Sequence, residues 1–189
     1  MDFQQYYYLE NYLFHTVQPR FLEQGYLSAF DFFCIVIWKA NRAKSKIAKR
    51  LLSKKHADLD SAVYELTTKL SQQVTAKDKL AYLWLRGNWG FLLPMASAVL
   101  TVLYPEEFTV YDSRVCDMLD DFHNLTNITN IDNLWDRYQK FKAKVEEVAP
   151  KDLNLRDKDR YLWGKSFHDQ LLIDIQKHFN QADERLITL

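Results

Sequence analysis

Glycine and proline are scarce in this sequence, which has four of each among its 189 residues. β-Sandwiches and dinucleotide-binding folds need many tight turns, and these two residues supply most of them. The scarcity therefore argues against both fold classes. The sequence also contains no Walker-type or G-x-G-x-x-G phosphate loop, since Gly87-Asn-Trp-Gly90 is only a tight turn.

Cysteine is scarce as well, and Cys34 and Cys116 do not form a C-x-x-C pair. We therefore expect neither a disulfide framework nor a zinc site, and a reducing compartment fits this usage. The five histidines show no metal-binding spacing such as H-E-x-x-H. The sequence thus predicts no metal and no cofactor.

Long apolar runs are absent, because no run reaches the ~18 residues that indicate a membrane span. The first residues, MDFQQYYYLE, lack the basic segment followed by an apolar run that marks a secretory signal. We therefore expect a cytoplasmic protein that does not associate with membranes. The sequence leaves its oligomeric state open.

Apolar residues are plentiful, at 48% of the chain, and recur at helical spacing almost throughout. This pattern predicts an all-α fold of about eight to ten helices in a single domain, residues 1–189. Pro94 fits the first turn of a central apolar helix, and residues 108–111 form a short extended link. Asp112 begins the next helix. We expect a final helix or helix pair over residues 155–179, interrupted near Gly164.

Charge is unevenly distributed although the net charge is zero. Residues 38–55 hold eight cations and no acid, whereas residues 101–136 hold eight acids and one cation. A basic face of this kind can meet phosphates, with Lys46 and Lys49 as candidates. A solvated helix face is the alternative. On a continuous helix Trp38 and Arg42 share a face, where a Trp–Arg pair can hold a base or a phosphate.

Two stretches carry a family resemblance: GFLLPMASAVL at residues 90–100 and FTVYDSRV at residues 108–115. Together they resemble the core of the helix-hairpin-helix (HhH-GPD) DNA glycosylase superfamily, the endonuclease III and oxoguanine glycosylase group. Gly90 matches the first hairpin glycine, Ala96 the packing alanine and Asp112 the catalytic aspartate. Residues 37–42 and 155–163 also resemble bacterial proteins related to the oxoguanine glycosylase fold.

The hairpin departs from the family pattern at two positions. Leu92 replaces the second glycine, and Pro94 stands where bifunctional members carry the lyase lysine. The four-cysteine iron–sulfur loop of the endonuclease III branch is absent. The resemblance therefore implies a glycosylase that releases a modified base by hydrolysis, without a lyase step.

The resemblance implies DNA as the partner and gives each candidate residue a role. Asp112, held at a helix start, would stabilise the positive charge that develops on the sugar. A flipped base would be received by residues before and beside Asp112: Trp38, Lys39, Arg42, Trp89 and Tyr111. The DNA backbone would contact the hairpin and a basic helix expected from Lys39 to Lys55: Gly87, Gly90, Lys46 and Lys49.

Each candidate also has a plain structural alternative. Asp112 is a favoured N-cap residue and fits that role alone. Trp38 fits the edge of the core, and Trp89 fits packing beside a tight turn. At the level of function, the alternatives are a non-enzymatic helix-hairpin-helix module that binds DNA and a helical protein-interaction domain. Arg156, Arg160 and Trp163 repeat the spacing of the Trp38 cluster and share its ambiguity.

Overall fold

The computed structural model describes residues 3–179, with side chains to residue 177, and this part of the chain is helical without a strand. The predicted all-α class is confirmed. The helices are α1 Leu9–Tyr12, α2 Gln18–Gln24, α3 Ala29–Ala40, α4 Lys44–Leu52, α5 Leu59–Ser71, α6 Ala76–Trp84, α7 Leu93–Leu103, α8 Ser113–Leu119, α9 Ile131–Val148 and α10 Leu155–Ile173. Between residues 3 and 179, none combines the length and apolarity needed to cross a bilayer.

Most of the longer helices begin at a residue whose side chain accepts a hydrogen bond from an amide of the first turn. Such caps satisfy N–H groups that have no partner within the helix. They are Ser28 for α3, Asp58 for α5, Thr75 for α6, Asn130 for α9 and Asn154 for α10. Gly25 ends α2 with a φ of 78°, a conformation that glycine adopts without strain.

Helix α7 lies at the centre of the core. Every residue from Met95 to Leu103 is buried, and Pro94 occupies the first turn, where no amide hydrogen bond is lost. The helix packs against α2, α3 and α6. An apolar surface on all sides predicts this position, and α7 thereby becomes a fixed support for the segment that follows it.

The basic segment is not one helix, contrary to the sequence interpretation. Helix α3 ends at Ala40, whose φ of −163° and ψ of 89° leave the helical region. A 3₁₀ turn, Asn41–Ala43, then redirects the chain into α4. Trp38 and Arg42 therefore do not share one helical face, because the backbone changes direction between them.

Helix α10 runs through Gly164 without the predicted interruption. A Cβ at this position would meet no atom within 4 Å, so the glycine is an exposed site with no special backbone role. Its cost is only the lower helix propensity, about 1 kcal/mol relative to alanine. Packing of α10 against α8 and α9 more than offsets that cost.

Candidate functional site

The extended link at residues 108–111 is held in place by side chains from three helices. Since the link belongs to no helix or sheet, its buried amides need acceptors elsewhere. The pairs are Thr109 N to Tyr138 Oη at 3.1 Å, Val110 N to Asp159 Oδ2 at 3.1 Å and Tyr111 N to Ser97 Oγ at 2.9 Å. The backbone leading into Asp112 is therefore fixed by α9, α10 and α7.

Asp112 is both a helix cap and a half-buried carboxylate. Its Oδ1 accepts a hydrogen bond from the Arg114 amide at 3.0 Å, which caps α8. Its Oδ2 lies 2.5 Å from the ammonium of Lys39, at the end of α3. The Asp112 side chain is 23% exposed and that of Lys39 is 12% exposed. Solvent thus reaches the carboxylate, while the lysine is largely enclosed.

A pocket of about 350 Å³ opens over this ion pair. Trp38 and Trp163 contribute aromatic walls. The polar lining consists of three acids and three cations: Glu10, Asp112, Asp159, Lys39, Arg156 and Arg160. The volume lies at the lower end of the ~300–1,000 Å³ typical of small-molecule sites. The pocket is therefore large enough for a small planar ligand, and its formal charge is balanced.

Arg156 organises the floor of this pocket. Its Nη1 donates to Asp159 at 2.9 Å and its Nη2 to Glu10 at 2.6 Å. The guanidinium carbon lies 5.1 Å from the ring centres of both Phe14 and Trp38. Burial raises the pKa of Asp159, and the Arg156 charge and the Val110 amide oppose that rise. Arg156 thus balances a buried carboxylate and holds Trp38 at the pocket wall.

A second, smaller pocket of about 280 Å³ shares Lys39 and Asp112 with the first. Its other lining residues come from the start of α7, the extended link, the start of α8 and the loop after α8: Pro94, Tyr111, Ser113, His123 and Thr126. Asp112 therefore lines two cavities.

Basic side chains of α4 and its C-terminal end lie against the tight turn between α6 and α7. Arg50 Nη1 donates to the Trp89 carbonyl at 3.4 Å, and Lys54 Nζ to the Gly87 carbonyl at 3.2 Å. Gly90 has a φ of 62°, and a Cβ there would lie 2.6 Å from Arg50 Nη1. However, the Gly90 amide donates to the Leu85 carbonyl at 3.0 Å, so it does not point outward to a phosphate as expected.

The structure brings some of the candidate residues together and separates others. Trp38, Lys39 and Asp112 meet in the larger pocket. Tyr111 lines the smaller one, but it is 4% exposed and its hydroxyl donates to the Phe122 carbonyl. The exposed cations Arg42, Lys46 and Lys49 lie outside the lining of both pockets.

Trp89 lies in a packed environment. Its side chain is 4% exposed and stacks on His56 with ring centres 5.9 Å apart and planes 16° from parallel. A platform for a base needs an exposed ring face, which Trp89 does not offer. We therefore leave it out of the proposed site, and packing accounts for it.

Two charged residues of the larger pocket, Glu10 and Asp159, were not among the sequence candidates. Asp159 lies within residues 155–163, the segment in which Arg156, Arg160 and Trp163 were singled out. Glu10 gave no signal, because its partner Arg156 is 146 positions away. Within the part of the chain described, no three His, Cys, Asp or Glu side chains are grouped so as to hold a metal ion.

Comparison with known proteins gives no relative for this chain. No protein-family model matches it, and neither a curated protein nor a solved structure matches it.

Proposed function

We propose that this protein is a DNA glycosylase-like enzyme that hydrolyses the N-glycosidic bond of a modified or damaged base. The observation that carries the proposal is the placement of Asp112. Its carboxylate is fixed by a helix cap and by Lys39, and it faces a pocket of about 350 Å³ with two tryptophan walls. A base must leave the stack to reach such a pocket.

Asp112 would act on the charge that develops as the glycosidic bond breaks. The sugar becomes positive while the base departs, and a fixed carboxylate stabilises this charge without having to reorganise. The rigid link before Asp112 and the cap after it hold the carboxylate in place. A water molecule oriented by Asp112 would then add to the sugar.

Lys39 holds the Asp112 carboxylate in place through a direct ion pair. Its ammonium lies 2.5 Å from Oδ2. With its acids and cations balanced, the pocket suits a neutral base with both donors and acceptors better than a free anion. The phosphates would remain outside, near the exposed cations.

The basic surface at the turn supports DNA as the partner. Arg50 and Lys54 lie on the Gly87–Gly90 turn, and Lys46 and Lys49 are exposed on the same helix as Arg50. Clustered Lys and Arg side chains supply the sequence-independent part of DNA affinity. In this proposal the basic surface holds the backbone while the pocket takes the base.

We propose that hydrolysis occurs without strand cleavage. A lyase step needs an amine that forms a Schiff base with the sugar. Pro94, at the family's lysine position, lines the smaller pocket and has no amine. Lys39 is the amine closest to Asp112, so a trapped covalent complex would implicate Lys39 and contradict this part of the proposal.

The test is the Asp112→Asn variant in single-turnover release assays on duplexes carrying oxidised, alkylated and deaminated bases. Asparagine still caps a helix but cannot stabilise a cationic sugar. We expect the rate to fall at least about a hundredfold, as for the loss of ~3 kcal/mol of transition-state stabilisation. Borohydride should trap no complex with the wild-type protein.

Asp117→Asn provides the matched control, because Asp117 is an exposed carboxylate on the same helix, α8. Its rate should stay at the wild-type level. The stability of Asp112→Asn must be measured too, since this change also breaks the pair with Lys39. We expect a cost of about 1–3 kcal/mol, between the values for exposed and buried pairs. Equal rates for the two variants would exclude Asp112 as the catalytic group.

A non-enzymatic DNA-binding module is the second candidate function. The observation in its favour is that both oxygens of Asp112 are already engaged, one by the Arg114 amide and one by Lys39. Salt-dependent DNA binding without base release from any duplex in the panel would select this alternative.

A further inference from the structure

Two exposed aromatic rings lie side by side on α10. Trp163 and Phe167 are 42% and 47% exposed, and they are one helical turn apart. Their planes are 4° from parallel and their centres 5.9 Å apart. Large aromatic side chains carry much apolar area, so an exposed pair of this kind marks a recognition surface.

Arg114 of α8 completes this surface, which we call the aromatic platform: Arg114, Trp163 and Phe167. Its guanidinium carbon lies 5.4 Å from the Trp163 centre and 5.8 Å from the Phe167 centre. Arg114 forms no ion pair with any residue of the described chain, unlike Arg156 and Arg160. It is thus a cation held by rings rather than by a carboxylate, available to a phosphate.

The platform is continuous with the larger pocket. Trp163 belongs to both, since it also lines the cavity over Asp112. The Arg114 backbone amide donates to Asp112 Oδ1 at 3.0 Å. A ligand on the platform therefore extends directly into the pocket, and the two surfaces suit neighbouring parts of one molecule.

We infer that the platform binds an unpaired strand of nucleic acid beside the nucleotide whose base enters the pocket. This inference deepens the proposed function and rests on it for the role of the pocket. Bases within a duplex have their faces covered by their neighbours, whereas unpaired bases can stack on protein rings. Aromatic side chains with arginine beside them are the usual means of holding single strands.

The surroundings favour nucleic acid over a protein partner. Two cations on this part of α10 have acid partners, since Lys165 pairs with Asp169 and Arg160 with Asp157. Arg114, which reaches the rings from α8, has no acid partner among the described residues, so a protein covering the rings would have to supply one. Exposed aliphatic residues continue along α10 at Leu171, Leu172 and Ile173, beyond the platform.

The test measures binding without chemistry. Fluorescence anisotropy would follow a labelled, unmodified oligothymidylate of about twelve nucleotides, and the same strand in a duplex, with the full chain. We expect the single strand to bind more tightly. Trp163→Ala and Phe167→Ala should each weaken single-strand binding about five- to a hundredfold, the range for losing one stacked base.

Tyr161→Ala is the matched control, because Tyr161 is 44% exposed on the same helix but lies outside the platform. Its affinity should stay within about twofold of wild type, and Arg114→Gln should weaken binding and flatten its salt dependence. Far-ultraviolet circular dichroism of every variant confirms that the helices are retained. Equal single-strand affinity in the platform and control variants would overturn the inference.

Further outcomes separate this inference from the proposed function. Single-strand binding that needs the platform, with no base release from any substrate, leaves the inference standing and removes the enzyme. Unchanged base release from duplexes by Trp163→Ala and Phe167→Ala refutes the inference and leaves the enzyme. Sedimentation showing that these variants lose self-association, with DNA binding unaltered, identifies a second copy of the chain as the occupant and also refutes it.

Discussion

At the scale of single residues, Tyr138 has the clearest structural role. It is fully buried in α9, and its hydroxyl accepts from the Thr109 amide at 3.1 Å and donates to the Thr109 carbonyl at 2.6 Å. The Tyr138 hydroxyl thus provides a hydrogen-bond partner for both the amide and the carbonyl of Thr109 in the extended link. Burial raises the pKa of Tyr138, so the phenol stays protonated and able to donate.

Tyr138→Phe should destabilise the protein by about 2–6 kcal/mol. The change removes one hydroxyl but leaves two buried backbone groups of Thr109 without partners, at about 1–3 kcal/mol for each. Chemical denaturation measures the difference. Tyr64→Phe, which removes a hydroxyl from a half-exposed tyrosine on α5, is the control and should change stability by less than about 0.5 kcal/mol. A similar small effect in Tyr138→Phe would show that the link does not depend on this phenol.

Single residues were predictable where the signal was local. Asp112 follows an extended link and starts a helix, so its cap was readable from the sequence, and its place at a pocket was a hypothesis from the motif. Trp38 and Lys39 were named from the local cluster of aromatic and basic side chains that they form with Arg42 in the sequence. Glu10 and Asp159 could not, because their roles come from contacts with Arg156 and Val110 that only the folded chain creates.

At the scale of elements, α4 carries much of the basic segment and contacts the turn between α6 and α7. Its Ile47 and Leu51 are buried, while Lys46 and Lys49 point to solvent. The helix thus packs on one side and presents cations on the other. Arg50 and the following Lys54 reach carbonyls of the turn, so the turn and the basic face form one surface.

Changing Lys46 and Lys49 together to alanine should weaken binding to unmodified DNA and flatten its salt dependence. Each lost phosphate contact releases about one counterion fewer, so the slope should fall by about one to two. A Lys140→Ala, Lys151→Ala double variant removes the same charge from α9 and the loop after it, and should leave the slope closer to wild type. If both doubles behave alike, the effect is one of net charge and α4 has no special role.

Helices could be predicted from the sequence where apolar residues recur at regular spacing. Helix ends could be predicted where a capping residue or a proline marks them. The turn Asn41–Ala43 was missed because residues 39–55 contain no Gly or Pro to mark it. The opposite error occurred at Gly164, where a glycine suggested a break that packing against α8 and α9 overrides. Both errors arise because tertiary contacts, rather than local propensity, decide where these helices end.

At the scale of the whole molecule, buried weak acids set the response to alkaline pH. Burial raises the pKa of Cys34 and of Cys116 to about 11, and that of Tyr104 to about 12. It also raises the pKa values of Tyr12 and Tyr111. These groups remain neutral when folded at a pH where the unfolded chain has already lost the protons.

Stability should therefore be constant near neutral pH and fall above about pH 9. A raised pKa in the folded state gives stability that is present below the unfolded value and is lost as pH rises toward the folded value. Each thiol should contribute a loss of about 2 kcal/mol by pH 11. Denaturation at pH 7 and 11 measures it, and a Cys34→Ala, Cys116→Ala variant should decline less. An equal decline would assign the effect to the tyrosines.

The packing of the helices around the pocket was the hardest feature to predict from the sequence. The all-α class follows from periodicity and from the lack of turn residues, but the pocket joins α1, α3, α8, α10 and the extended link. Glu10 and Arg156 are 146 positions apart, and no short motif records such a contact. The sequence indicated segments of the pocket without indicating how they meet.

The extended link also fixes the order in which the site can form during synthesis. The Val110 amide receives its acceptor from Asp159, and Thr109 receives its partner from Tyr138. A nascent chain that has emerged from the ribosome only as far as α8 already contains Asp112, Trp38 and Lys39. It contains Ser97 but lacks Tyr138 and Asp159, two of the three side chains that hold the link, so the carboxylate reaches its final position only once α9 and α10 have been made and docked.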